Sequence, residues 1–370
     1  MKRLFSLIIV AFLVLGSVTQ VKAENVLGYD TSGISDSLSD EVREELSKIG
    51  ADKPDINIFS NLSADSFAQS LLSAAEKSLR SPLVSLAALI ALMLVSSMFS
   101  SLRSSAKSSP MKTVLSVCSS LCITLTVSAP ILSLIDNACS VIKTAADFSL
   151  AYLPVVAFAM SASGRAISSA SYYGLCVLLG QTVSGISGNV LAPFLKALLA
   201  LGITSSITDE INLRGIIDTI SKISKYVIGI SMTLFTSFLT LKQISAAQAD
   251  RLSDRAVRFS LSSFVPVVGS ALSESYKTVE ASVNTLKSGV GVFAIIAVGV
   301  TFLPAVLSAL FWRLSLTAGS TAAELLNLDE PRALLDALGS VVSLTIAVLL
   351  SVMSVFIIIT GLAIMSGGSV

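Results

Sequence analysis

The sequence predicts an all-α protein, a polytopic transmembrane helix bundle with amphipathic interfacial helices. Three observations predict it. Of 370 residues, 53% are hydrophobic and only 13% are charged, about half the charge of an ordinary soluble domain. The mean hydropathy is +0.83. Apolar runs of membrane-crossing length, about twenty residues, recur along the chain between short polar links.

The elements follow in order. Residues 1–23 read as a signal peptide, with Lys2 and Arg3 as the charged start, an apolar core over 4–18 and Val21-Lys22-Ala23 as the small-residue exit. An uncleaved anchor is the alternative reading. Residues 24–81 form an acidic extracytoplasmic arm, in which 24–65 carry ten acidic residues against three basic ones. Such a stretch is too polar to build a core alone, although 39–46 fits a short capped helix. An amphipathic stretch over 66–80 leads into the membrane.

Seven spans are expected. Five lie in 82–241, at 82–102, 113–135, 148–164, 171–191 and 226–241, and two in 290–370, at 290–312 and 340–365. The apolar chain over 190–207, with Pro193 and Gly202, is a candidate re-entrant segment. An external amino terminus puts Arg103, Lys107 and Lys112 inside, Asp136 and Asp147 outside, and Arg165 inside, as the distribution of Lys and Arg in short loops requires. Residues 242–289, with six basic residues, fall inside as a cytoplasmic amphipathic segment. Residues 313–339 fall outside with four acidic residues against two basic. The exception is 196–225, which this scheme puts outside although it carries four basic and three acidic residues.

The segment from 258 to 274 is apolar but too short to cross, and Pro266 and Gly269 interrupt it. A helix, a break and a second helix are expected. The apolar positions of this segment, Phe264, Pro266, Gly269, Leu272, Tyr276, Val279, Val283 and Leu286, form a candidate interaction face, the last five at helical spacing. One internal echo stands out: Arg214-Gly-Ile-Ile-Asp218 and Arg332-Ala-Leu-Leu-Asp336, each just before a span. Amphipathic helices along the membrane explain it, and an internal duplication is the alternative.

The chemistry available is narrow. The chain has no histidine, which removes histidine-dependent triads and most zinc sites. Cys118, Cys122, Cys139 and Cys176 lie in or beside apolar segments and read as small packing residues. No nucleotide-binding loop occurs. Ser104-Ser-Ala-Lys107 and Ser140-Val-Ile-Lys143 match the first part of a serine–lysine acylation signature, but its other two parts are absent. No catalytic, cofactor-binding or metal site is expected. The net charge of +1 exerts no pull toward nucleic acid, and none is expected as a partner. Span interiors are expected to hold essentially no charge, with Gln181 and Asn189 as the strongly polar side chains at depth, bonding between helices, and lining a pathway is the alternative role.

Asp254-Arg-Ala-Val-Arg-Phe-Ser-Leu-Ser-Ser-Phe264-Val-Pro-Val-Val-Gly-Ser-Ala-Leu272-Ser-Glu274, continued in Lys287-Ser-Gly-Val-Gly-Val-Phe293, resembles the stage III sporulation protein AE family of endospore-forming bacteria. The resemblance implies a non-enzymatic component of a secretion-like channel complex in the mother-cell membrane around the forespore, required for sporulation after engulfment. It implies as partners the other stage III sporulation proteins AA to AH, including a secretion-type ATPase, and stage II sporulation protein Q across the intermembrane space, besides the lipid bilayer. A free-standing small-molecule permease is the alternative. An intramembrane serine–lysine hydrolase using Ser140 is a third reading.

Overall fold

The computed structural model describes residues 37–51, 64–105, 109–205, 213–264 and 269–365, with the backbone alone at 64, 67, 99–105, 109–120, 205, 213–214, 254, 257–258, 260–264 and 269–287. The helices are α1 (Asp40–Lys48), α2 (Ala64–Ser105), α3 (Ser109–Ala162), α4 (Ala166–Ile186), a π-helical turn (Ser187–Leu191), α5 (Ala192–Ser205), α6 (Leu213–Phe264), α7 (Gly269–Leu325) and α8 (Asp329–Met365). Among the described residues every regular element is helical. Six stretches are long and apolar enough to cross a membrane: Ala68–Met98, Leu121–Ala162, Ala166–Thr204, Gly215–Ser253, Ser288–Leu325 and Asp329–Met365.

Six replaces the seven expected, because 113–135 and 148–164 belong to one 54-residue helix, α3. The link between them, 136–147, was expected to be an external loop. It contains no glycine or proline to stop a helix. Ala138, Ile142, Ala145 and Ala146 keep a buried apolar face through it, so the helix continues. The candidate re-entrant segment is likewise the continuation of α4 through the π turn into α5.

Three helices end by one device. At the end of α3, Gly164 adopts φ 78°, and Arg165 N–H donates to Met160 O at 3.1 Å. That is the left-handed helix terminus glycine allows at no steric cost. Asn327 does the same between α7 and α8 with φ 53°, Leu328 N–H donating to Ala323 O at 2.9 Å. Gly50 closes α1 in the same way.

The hairpins then align along their lengths. α3 and α4–α5 are antiparallel: Ser169 Oγ donates to Ala157 O at 2.6 Å and Ser187 Oγ to Cys139 O at 3.2 Å. α6 runs back beside α4–α5, from Ile217 near Gly202 to Asp250 at the start of α4. α7 and α8 pair from Gly319 beside Leu335 to Gly291 beside Ile364. α2 runs parallel to α7, with Ser78 Oγ donating to Pro304 O and Ser315 Oγ to Pro82 O. Since lipid tails are as apolar as leucine, close packing rather than water exclusion holds such helices together. The apolar stretch of α7 is 61% buried and that of α6 only 11%, so α7 and α8 form the centre and α6 the periphery.

Two core clusters stack along the bundle. One holds Phe148, Tyr152, Tyr172, Phe293, Phe302 and Phe356, and the other holds Leu89, Met93, Ile123, Trp312, Leu316 and Leu334. Leu38, Leu46, Ile49 and Ala51, around α1, join the first. The acidic arm is therefore not wholly solvated. It seats one helix on α2 and α7, where Ser70 Oγ donates to Glu45 Oε2 at 2.7 Å.

The up-and-down order places α1, the α3–α4 turn, the carboxyl end of α6 and the end of α8 at one end of the bundle. The end of α2, the end of α5 and the α7–α8 turn lie at the other. With six helices in place of seven, the arm and the chain beyond 242 share an end, where the seven-span reading separated them.

Candidate functional site

The candidate interaction face falls largely outside the described side chains. Phe264 ends α6, Gly269 begins α7, and Leu272, Tyr276, Val279, Val283 and Leu286 lie on the first turns of α7, described in backbone alone. Pro266 lies outside the described residues. The two expected helices are present as the end of α6 and the start of α7, and the expected break over 265–268 lies outside the described residues.

Inside the bundle, carboxylates join neighbouring helices. Asp250 on α6 accepts from the backbone N–H groups of Ile167 and Ser168 at 2.9 and 2.7 Å. Those are two of the donors that the first turn of α4 leaves open. The N-cap residue of α4, Arg165, makes no side-chain capping hydrogen bond, and the first turn of α4 holds no acidic residue. A 4%-exposed carboxylate from α6 serves instead, favoured by the positive end of the helix dipole. The echoed motifs act alike. Ser340 Oγ donates to Asp218 at 2.5 Å and Ser320 Oγ to Asp336 at 2.6 Å, each from an adjacent helix. Deeper in, Thr360 donates to Phe356 O at 2.8 Å, so the Tyr152 hydroxyl donates to Thr360 Oγ1 at 2.7 Å.

The outer surface holds what the sequence reading missed. Asp136, Asn137, Ser140, Lys143 and Asp147 are all exposed along one face of α3. Lys196 on α5 reaches Asp136 at 2.6 Å. Gln181 and Asn189, expected between helices, are exposed on the same hairpin, as are Gly185 and Gly188, beside which a Cβ would meet nothing within 4 Å. Exposed Phe158, Tyr173 and Leu178 lie toward one end of this face, and Leu125, Val190 and Leu201 toward the other. With α3 continuous, Asp136, Lys143 and Asp147 fall within a stretch long and apolar enough to cross a membrane. The signal was present in the polar spacing 136, 140, 143, 147, which is helical. A charge held against hydrocarbon at a helix centre costs about 2.5–3.5 kcal/mol, so this face needs an account. Ser140 and Lys143 both point outward on it. Cys139 and Cys176 are buried and Cys122 is exposed.

Six apolar helices, with tight turns between α3 and α4 and between α7 and α8 and with interhelical hydroxyl and carboxylate bonds, define a multi-pass helical membrane protein. Its residues 57–367 match the stage III sporulation protein AE family, and the chain belongs to that family. It is also similar to stage III sporulation protein AE of Bacillus subtilis (strain 168), 25% identical over 161 residues. That match covers 44% of this chain and 40% of the relative, so the chain aligns with less than half the length of the curated relative. No solved structure matches. Membership gives the protein a role in sporulation, and the family is named for a stage of that process rather than for a reaction.

Proposed function

We propose that this protein is a non-enzymatic membrane component of a secretion-like channel complex between mother cell and forespore, acting after engulfment. The observation that carries the reading is the family match across nearly all of the six-helix region. Its setting is the mother-cell membrane around the forespore, and its partners are the stage III sporulation proteins AA to AH, with a secretion-type ATPase, and stage II sporulation protein Q.

An extracytoplasmic arm sets the sidedness. Four crossings, by α2, α3, α4–α5 and α6, then return the chain to the arm's side, so 242–289 faces the intermembrane space and its apolar face is offered to a partner there. The opposite end, with Arg103, Lys107 and Lys112 and no acidic residue between them, faces the cytoplasm and the ATPase, as basic loops do. Replacing Val279 and Val283 with aspartate puts two charges on that face. Affinity recovery from sporulating cells then loses the intermembrane partners and keeps the ATPase, with membrane insertion unchanged. Full recovery of every partner sinks the docking role, and solute uptake by the purified protein alone in liposomes favours a free-standing permease.

A further inference from the structure

The polar face of the α3–α4 hairpin lies at a depth where α7 and α8 carry no charge. Phe148 packs on Phe293 with ring centroids 6.5 Å apart, and Tyr152 bonds to Thr360. These contacts level 148–152 of α3 with the upper parts of α7 and α8. α7 carries no charge between Lys287 and Arg313, and α8 none after Asp336. Asp147, Lys143 and Asp136 descend from that level over about 18 Å at the α-helical rise, beside buried Ala297, Val298, Phe302 and Ala305. The α4 side of the hairpin is in register, since Ser187 reaches Cys139. α2 packs beside α3 and α7 and brings exposed Lys77 and Arg80 to the depth of Pro304.

The neighbouring helix α6 differs. α6 shows Tyr226, Ile230, Leu234, Phe238 and Leu241 outward without interruption, a surface suited to lipid. Ionisable side chains within membrane helices face a protein interior or water, and these face neither their own bundle's interior nor an apolar neighbour. Lysine and aspartate are both present and their heads stay exposed: Asp136, although bridged to Lys196, remains 57% accessible. A dry protein–protein seam would leave such charges to be paired and desolvated, whereas water solvates both signs at once.

We propose that the outer face of the α3–α4–α5 hairpin, carrying Asp136, Lys143, Asp147, Gln181, Asn189 and Lys196, lines a water-filled passage through the membrane that admits small hydrated solutes. The inference deepens the channel-component reading and rests on it. It assigns the lining to this chain and to this side of it.

Single cysteines at Ser140 and Asn189, and at Ile230 and Leu234 as lipid-facing references, test it in membranes of sporulating cells. The four native cysteines are replaced, and the probe is a membrane-impermeant cationic methanethiosulfonate. Only a hydrated thiol ionises to the reactive thiolate. Ser140→Cys and Asn189→Cys should therefore react at least about ten-fold faster than Ile230→Cys and Leu234→Cys, the effect of one unit of thiol pKa. Spore formation by each variant reports that it folds, and Asn137→Cys or Gln181→Cys replaces one that does not. Equal, slow labelling on both sides overturns the proposal. So does protection in the membrane that is lifted by detergent, which identifies a covering protein chain. Either result leaves membership of the complex standing if deletion of the gene still blocks spores.

Discussion

Asp250 is the residue on which the α3–α4 turn depends most. Its carboxylate closes two backbone donors that no other group near the turn serves. Asp250→Ala should cost about 1–3 kcal/mol, the penalty for leaving buried donors unpaired, and Asp250→Asn less because one acceptor remains. Thermal unfolding in detergent reads the difference, and equal midpoints for all three proteins contradict the capping role. Glu45 makes a pH prediction. Its carboxyl is held below the usual 4.5, first by the hydrogen bond from Ser70 and then by Lys48. A depressed acid contributes stability above its unfolded value and loses it as pH falls through the folded one. The seat of α1 on α2 should therefore hold at neutral pH and loosen below about pH 4.5. A spin label at exposed Ser47 should gain mobility across that step, and the step should vanish in Glu45→Gln.

Among the helices, the π turn sets the faces of α5. A π turn is one residue wound into a helix, often at a functional place. Deleting Gly188 should restore regular winding and rotate α5 by about 100°, taking Lys196 from Asp136 and turning buried Leu195, Leu198 and Leu199 outward. A lowered unfolding temperature with loss of a 136–196 cysteine crosslink is expected. An unchanged crosslink means the turn carries no register. At this scale the sequence was legible where one signal dominated: apolar runs marked the helices. It was not legible over 136–147, because a polar stretch between apolar runs reads as a loop unless its own period is examined. Ser140, Lys143 and Asp147 repeat at three and four residues, and only the buried Ala138, Ile142 and Ala145 opposite them show the helix running through. Gln181 and Asn189 were visible as polar residues at depth, but which way a helix turns them depends on neighbours far along the chain.

For the molecule as a whole, the number of long helices decides which end of the bundle each segment occupies. One loop fewer brought the arm and the chain beyond 242 to the same end, although the charges of each loop were counted correctly. The result is a bundle with two unlike outer faces, one apolar along α6 and one polar along the α3–α4 hairpin. Family membership joins it to sporulation. The most direct test is a clean in-frame deletion in the spore-forming host, scored by membrane-dye microscopy for engulfment and by counts of heat-resistant spores. Engulfment should complete and heat-resistant spores should be lost, with recovery when the intact gene is restored. Normal spore counts from the deletion strain would contradict the assignment at its centre.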